Sequence, residues 1–116
     1  KIREKELLIQ LIKNPSGASQ AVKAAAADSK GKYLIAINDN YADGRDISWL
    51  WDAEFEEFAN TRGLFVVSGT RCRDMAIRLK YAGVEPSSII VESNIDKALD
   101  KALELCQQGE LLWLLP

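Results

Sequence analysis

Histidine is absent from this 116-residue chain, and cysteine is nearly so. Cys72 and Cys106 lie far apart and neither has metal-ligand spacing, so the chain offers no zinc site of its own. Both cysteines read as reduced thiols of a cytosolic protein. No apolar run reaches the ~18 residues a membrane span needs, and no signal peptide is recognisable. Charge of one sign is also missing: the formal net charge is -2, and the fifteen lysines and arginines are scattered. That excludes a general attraction to nucleic acid or to anionic membrane. Neither GxxxxGK[ST] nor GxGxxG occurs, so a complete nucleotide site of the usual kinds is missing. Without an imidazole, any histidine-dependent triad must take one from another chain.

What is present is an ordinary globular balance, 47% hydrophobic and 28% charged. The length fits one domain over residues 1–116, with a core that needs neither disulfide nor metal. The chain opens on "KIREKELLIQLIKNP" and closes on the apolar "ELLWLLP". Both ends read as cut, and the expectation is a piece of a longer protein.

The pattern alternates. "ELLIQLIK" (6–13) reads as a strand bounded by the turn "NPSG", with Asn14 as N-cap and Pro15 in the first helical turn. "SGASQAVKAAAAD" is alanine-rich and predicts a helix ended by Gly31. "KYLIAIND" (32–39) is a short continuous apolar run, as in a strand covered on both faces. "DAEFEEFAN" (52–60) predicts a short helix, with Asp52 as cap and Phe55 and Phe58 on one face. "GLFVVSG" (63–69) is another buried strand. "TRCRDMAIRLKYAGV" predicts a helix capped by Thr70 and stopped by Gly83, with Met75, Ala76 and Leu79 as its apolar face. "SSIIVES" (87–93) reads as a strand. In "NIDKALDKALELCQQG", Ile95, Ala98, Leu99, Ala102, Leu103 and Cys106 mark one helical face between Asn94 and Gly109. "ELLWLLP" is the last strand. Strand and helix in strict alternation predict an α/β fold, a mostly parallel sheet with helices on both faces. Ligands of such sheets bind outside the carboxyl ends of the strands, which points at "NPSG", "NDNYADGRD" and "SGTR".

"NPSG" and "SGTR" read first as capped helix starts, although either can offer backbone N–H groups to an anion, with Arg71 beside the second. "NDNYADGRDISWLWD" (38–52) is denser. It holds four aspartates, two asparagines, an arginine, a tyrosine and two tryptophans. Asp39, Asp43 and Asp46 crowd around Arg45, and close carboxylates raise one another's pKa unless screened. Aspartates of this kind bind Mg²⁺, orient a histidine or act as bases. Trp49 and Trp51 flank Leu50, so one is expected in the core and the other outside.

"NDNYADGRDISWLWDAEFE", "KNPSG" before an alanine-bearing helix, and "SGTRCRDMAIRLKYAGV" occur in this order along essentially the whole chain. Together they resemble the C-terminal domain family of the MurT subunits of lipid II isoglutaminyl synthases, which is similar to the Mur ligases. The resemblance implies a Rossmann-like sheet of five to six strands, of the Mur ligase C-terminal type. It implies a partner, GatD, a glutamine amidotransferase that releases ammonia from glutamine. It also implies use of ATP and Mg²⁺ to activate the α-carboxylate of D-glutamate in the lipid II stem peptide. Ammonia then gives D-isoglutamine, in the cytoplasm at the inner face of the bacterial membrane. Phosphoryl transfer of this kind rests on positioning and charge neutralisation, and a closed cleft lets ammonia reach the activated carboxylate before water.

Carried over by motif, Asp46 in "DGRD" matches the aspartate that completes the amidotransferase triad by orienting the histidine of GatD. The choice between Asp46 and Asp43 stays open; Asp43 can instead meet substrate, Mg²⁺ or the turn backbone. Asn14 matches the region that approaches ATP, Asn38 and Asn40 lie where the fold presents a strand end to the peptide, and Arg45 stands among them. No residue of this chain is assigned to a metal. The family's ATP-binding central domain, with its phosphate loop and cysteine-rich zinc insertion, is not represented here, so the chain alone is expected to be inactive. A different reading of the same residues is a non-catalytic binding module that docks a protein or small ligand through the acidic and aromatic loop 38–52.

Overall fold

The computed structural model describes residues 5–12, 14–28, 31–38, 48–59, 61–107 and 110–116. Five strands form one sheet: β1 (Glu6–Ile9), β2 (Lys32–Ala36), β3 (Leu64–Ser68), β4 (Ile89–Val91) and β5 (Leu111–Leu115). Every pairing among them is parallel, in the order β1-β5-β2-β3-β4. Three helices connect them: α1 (Pro15–Ala26), α2 (Cys72–Ala82) and α3 (Ile95–Leu105). The expected α/β architecture is therefore present, with five strands among the described residues.

Alternation along each strand sorts side chains into two cores. On one face, Tyr33, Ile35, Phe65, Val67, Trp113 and Leu115 pack with α1, α2 and the 48–58 segment. On the other, Leu34, Val66 and Leu112 pack with Ala98, Ala102, Leu103 and Cys106 around α3. Helices thus cover both faces, which is why β2, β3 and β5 read as unbroken apolar runs. Register places Tyr33 opposite Phe65 on one side and Trp113 on the other. The Tyr33 and Phe65 rings stack at 4.7 Å, and Phe58 closes on each of them at 4.9 Å.

Several boundaries differ from the sequence expectation. β1 stops at Ile9, although Gln10 and Ile12 still donate their N–H groups to Leu114 and Pro116. α1 ends at Ala26, short of Gly31. The Tyr33 hydroxyl donates to the Ala25 carbonyl at 3.0 Å and also meets that of Asp28, closing the helix from the sheet. β4 is only three residues, preceded by a 3₁₀ turn at Pro86–Ser88. In α2, Arg71 rather than Thr70 holds the cap position, and it makes no capping side-chain bond. Gly83 ends α2 as expected, at φ 106, where the left-handed backbone favours glycine. α3 starts as expected, with Asn94 Oδ1 accepting the Lys97 N–H at 3.0 Å. Ile95, expected on its buried face, is 49% exposed. Gly109, its expected terminator, lies outside the described residues.

The largest departure is at 52–60. Instead of one helix capped by Asp52, the chain makes two 3₁₀ turns, Ser48–Trp51 and Phe55–Phe58. The cause is competition for carbonyls. A helix capped by Asp52 would give the Ala53 oxygen to the Glu57 N–H four residues ahead. Here that oxygen accepts from the guanidinium of Arg78 at 2.8 Å, and Arg78 also holds the Leu50 carbonyl, just ahead of the expected cap, at 2.6 Å. The Glu54 N–H goes instead to Ser19 Oγ on α1, at 3.0 Å. Phe55 and Phe58 are nonetheless buried, as their spacing required.

Candidate active-site edge

The carboxyl ends of β2, β3 and β4 are tied to one another by the turns that follow them. At β2, Ile37 donates its N–H to Ser68 at 3.0 Å and accepts from the Arg71 N–H at 2.9 Å. Asn38 Oδ1 accepts the Thr70 N–H at 2.9 Å. At β4, Glu92 donates its N–H to Val67 at 3.0 Å. The Ser93 carbonyl accepts from the Gly69 N–H and from the Ser68 hydroxyl, each at 3.4 Å.

Gly69 is the hinge of this lattice. Its φ is 91, and a methyl group there would lie 2.3 Å from the Ile37 carbonyl oxygen. Only glycine lets the β3–α2 turn come this close to the end of β2. β3 and β4 are also the neighbours whose following helices diverge, α2 to one face and α3 to the other.

Of the residues proposed from sequence, Asn14 and Asn38 fall within the described part. Asn14 caps α1, its Oδ1 accepting the Gly17 N–H at 2.8 Å. Asn38 is exposed at the end of β2 and holds the "SGTR" turn. Both follow strands of the same sheet, though not neighbouring ones, since β5 lies between β1 and β2. Asn40, Asp43, Arg45 and Asp46, with Asp39, lie outside the described residues. Arg71, read as flanking an anion-binding turn, meets Asp74 at 3.5 Å. Among the described residues, no group of three or more histidine, cysteine, aspartate or glutamate side chains is placed to hold a metal ion. No described helix is long and apolar enough to cross a membrane.

The return of the 38–52 stretch is built around a residue that the sequence reading passed over. Arg78 is 2% exposed. Besides the Leu50 and Ala53 carbonyls, its Nη2 reaches Glu56 Oε1 at 2.9 Å. Its guanidinium lies 5.1 Å from the Trp51 ring centroid and 5.5 Å from that of Phe55. The bond from Arg78 holds the Glu56 carboxyl below the usual glutamate range. Trp49 is half-buried against the core while Trp51 is 54% exposed, so the two tryptophans divide as expected. Outside, the Trp51 ring leans on Tyr81 at 5.8 Å. A signal for Arg78 was available: Met75, Leu79 and Ala82 define the buried face of α2, and position 78 lies on it. The cysteines are both free and buried. Burial pushes the Cys106 thiol up.

An all-parallel α/β sheet with helices on both faces, crossing over through α1 and α3, defines a Rossmann-like domain of the Mur ligase C-terminal kind. Comparison with known proteins narrows this: the chain belongs to the MurT ligase C-terminal family, whose description matches residues 11–116. It is 41% identical over 106 residues to the lipid II isoglutaminyl synthase (glutamine-hydrolyzing) subunit MurT of Staphylococcus aureus. That alignment covers 90% of this chain and 24% of the relative. The Streptococcus pneumoniae subunit of the same name is 37% identical over 100 residues, covering 84% of this chain and 22% of the relative. The chain therefore spans about a quarter of the length of the curated relatives it matches.

Proposed function

We propose that this chain is the C-terminal domain of a ligase subunit that amidates the α-carboxylate of D-glutamate in the lipid II stem peptide, giving D-isoglutamine for peptidoglycan synthesis. The observation that carries the reading is family membership over residues 11–116, with relatives named as glutamine-hydrolysing lipid II isoglutaminyl synthase subunits. The ammonia comes from glutamine, hydrolysed by a GatD-type amidotransferase that forms a heterodimer with the ligase subunit. ATP supplies the activation of the carboxylate. In this reading Mg²⁺ and most nucleotide contacts are made by the ATP-binding central domain of the ligase subunit. The work takes place in the cytoplasm, at the inner face of the membrane that carries lipid II, and this chain alone is inactive.

In this reading the 38–52 stretch lends one carboxylate, Asp46 before Asp43, to the partner's glutaminase. A carboxylate beside an imidazole fixes its tautomer and orientation and stabilises its charged form. That is the one triad member a chain without histidine, and with only buried cysteines, can supply. Asn14, Asn38, Asn40, Asp43 and Arg45 are the residues this reading gives to substrate or nucleotide.

The test is glutamine hydrolysis by the reconstituted two-subunit enzyme carrying Asp46→Asn or Asp43→Asn. The Asp46 variant is expected to lose most of its turnover while the subunits still associate. Full hydrolysis by Asp46→Asn removes the triad role, and loss in Asp43→Asn alone moves that role to Asp43. A binding module without catalytic residues would instead show altered affinity at unchanged turnover.

A further inference from the structure

Asn38 lies two residues past the end of β2, exposed, on the carboxyl edge of the sheet. Its amide has a fixed orientation. Oδ1 accepts the Thr70 N–H at 2.9 Å. The same oxygen lies so close to Gly69 that a methyl group there would come within 3.0 Å of it. A backbone N–H needs an acceptor, so the oxygen end of the amide is the one turned toward the β3–α2 turn. The nitrogen end is the one left over. Nδ2 can only donate, and it has no partner among the described residues.

Holding the turn does not call for an amide. An aspartate at position 38 would accept the same N–H, and a charged acceptor makes the stronger bond. It would also stand beside the start of α2, where Arg71 at the cap position supplies no side-chain bond and negative charge is favoured. On the fold alone, aspartate is the better residue. Asparagine gives up that advantage and keeps two things: no added negative charge at this edge, and a donor with nothing in the described protein to bind. Both suit a ligand that brings its own negatively charged oxygen. Ligands of open parallel sheets enter at this edge.

We propose that Asn38 recognises an anionic oxygen of the ligase substrates through Nδ2, a phosphate of the nucleotide or a carboxylate of the stem peptide. This rests on the ligase reading above, and it names the atom and the ligand chemistry for one of the residues in it. Because Oδ1 is already bonded, the donor is presented in a set orientation and loses little freedom on binding. The discriminating change is Asn38→Asp, which keeps the acceptor for Thr70 and replaces the donor by a charge of the ligand's own sign. Asn38→Ala removes both.

The full two-subunit enzyme is assayed for ATP-dependent amidation of lipid II. KM for ATP and for lipid II is determined for the parent and both variants, with thermal unfolding of each ligase subunit in parallel. Asn38→Asp is expected to unfold no earlier than the parent, yet to raise one KM about tenfold or more, the effect of losing a hydrogen bond to a charged group. A rise for ATP assigns the oxygen to a phosphate, and a rise for lipid II assigns it to a peptide carboxylate. Asn38→Ala is expected to raise the same KM by a smaller factor and to unfold earlier. A purely structural role predicts the reverse order, alanine harmful and aspartate harmless, and that result overturns the inference. An aspartate variant with both KM values at the parental level overturns it. So does one that unfolds earlier or does not assemble, because Nδ2 is then spent on the protein itself. In all these cases a parent that amidates lipid II leaves the ligase reading standing, whereas a parent that does not removes that reading and this inference with it.

Discussion

Replacing Arg78 with methionine isolates the polar part of its work, since the new side chain still fills much of the space along α2. Two bonds from a charged donor to carbonyls are lost. The Ala53 oxygen keeps the Phe55 N–H at 3.0 Å. The Leu50 oxygen keeps no other donor among the described residues. A hydrogen bond to a charged group is worth about 1.5–3 kcal/mol, and an orphaned carbonyl sits at the upper end of that range. The Glu56 pair adds little, because the Glu56 side chain is 60% exposed and such pairs give about 0–1 kcal/mol. The ring contacts add about 1 kcal/mol. Avoiding the desolvation of a buried guanidinium returns part of this. The net cost is about 3 kcal/mol, a large share of the 5–15 kcal/mol typical of a domain. At the usual unfolding entropy per residue, that lowers the midpoint of thermal unfolding by about 12 °C. Urea and thermal unfolding followed by circular dichroism read it directly. A methionine variant within about 0.5 kcal/mol of the parent would refute the carbonyl-clamp argument. So would a Glu56→Gln variant that costs as much as Arg78→Met, since that would place the energy in the ion pair.

Other outcomes follow from the same structure. Gly69→Ala forces a methyl group against the Ile37 carbonyl in a left-handed backbone, and should cost about 2–4 kcal/mol in unfolding experiments; a neutral substitution would contradict the turn geometry. Burial, with the nearby Asp28 charge second, raises the Tyr33 hydroxyl above the ordinary tyrosine value. Its contribution is therefore fully present below about pH 10, the unfolded value, and declines as pH rises beyond it. Spectrophotometric titration should leave Tyr33 unionised until alkaline unfolding, and Tyr33→Phe should cost about 1 kcal/mol by freeing the end of α1. Glu56 is shifted the other way. Its stabilising effect holds above the ordinary glutamate range and is lost as pH falls through its lowered pKa. In acid unfolding, Glu56→Gln should flatten this small component, and an unchanged pH dependence would argue against the Arg78 contact.

Much of this fold can be read from local chemistry. The runs at Lys32–Ala36, Leu64–Ser68 and Leu111–Leu115 are apolar on consecutive positions because helices cover both faces of the sheet. Asn14 and Asn94 advertise helix starts because each places a short carbonyl within reach of an orphan N–H. What local chemistry does not carry is competition from afar. Nothing in "DAEFEEFAN" says that an arginine twenty-five residues on takes the Ala53 carbonyl a helix would need. Nothing in "AAAAD" says that a tyrosine hydroxyl will end α1. Strand order is equally hidden, since an apolar run does not name its neighbours. At the candidate site, Asn14 and Asn38 were legible as polar residues at strand ends, and the structure gives each a backbone hydrogen bond to hold. The acids of 39–46 fall outside the described residues, so their chemistry rests on the motif and on the two ends that flank it.

The strand order has a consequence in time. β5 is the last of the five strands to be synthesised, yet it lies between β1 and β2, pairing Leu7 with Leu112 on one side and Tyr33 with Trp113 on the other. Until those residues exist, β1 has no partner in the sheet, and the flanks of β2 and β1 are open edges that invite mispairing. The sheet therefore closes by insertion, joining residues about a hundred positions apart, a step that carries a high loop-closure cost and slow kinetics. On a chain emerging from the ribosome, β2, β3 and β4 are the strands that can pair before β5 exists. Completion waits for "LLWLL", so a mutation in that short strand would be felt first as a failure of maturation, before any loss of chemistry.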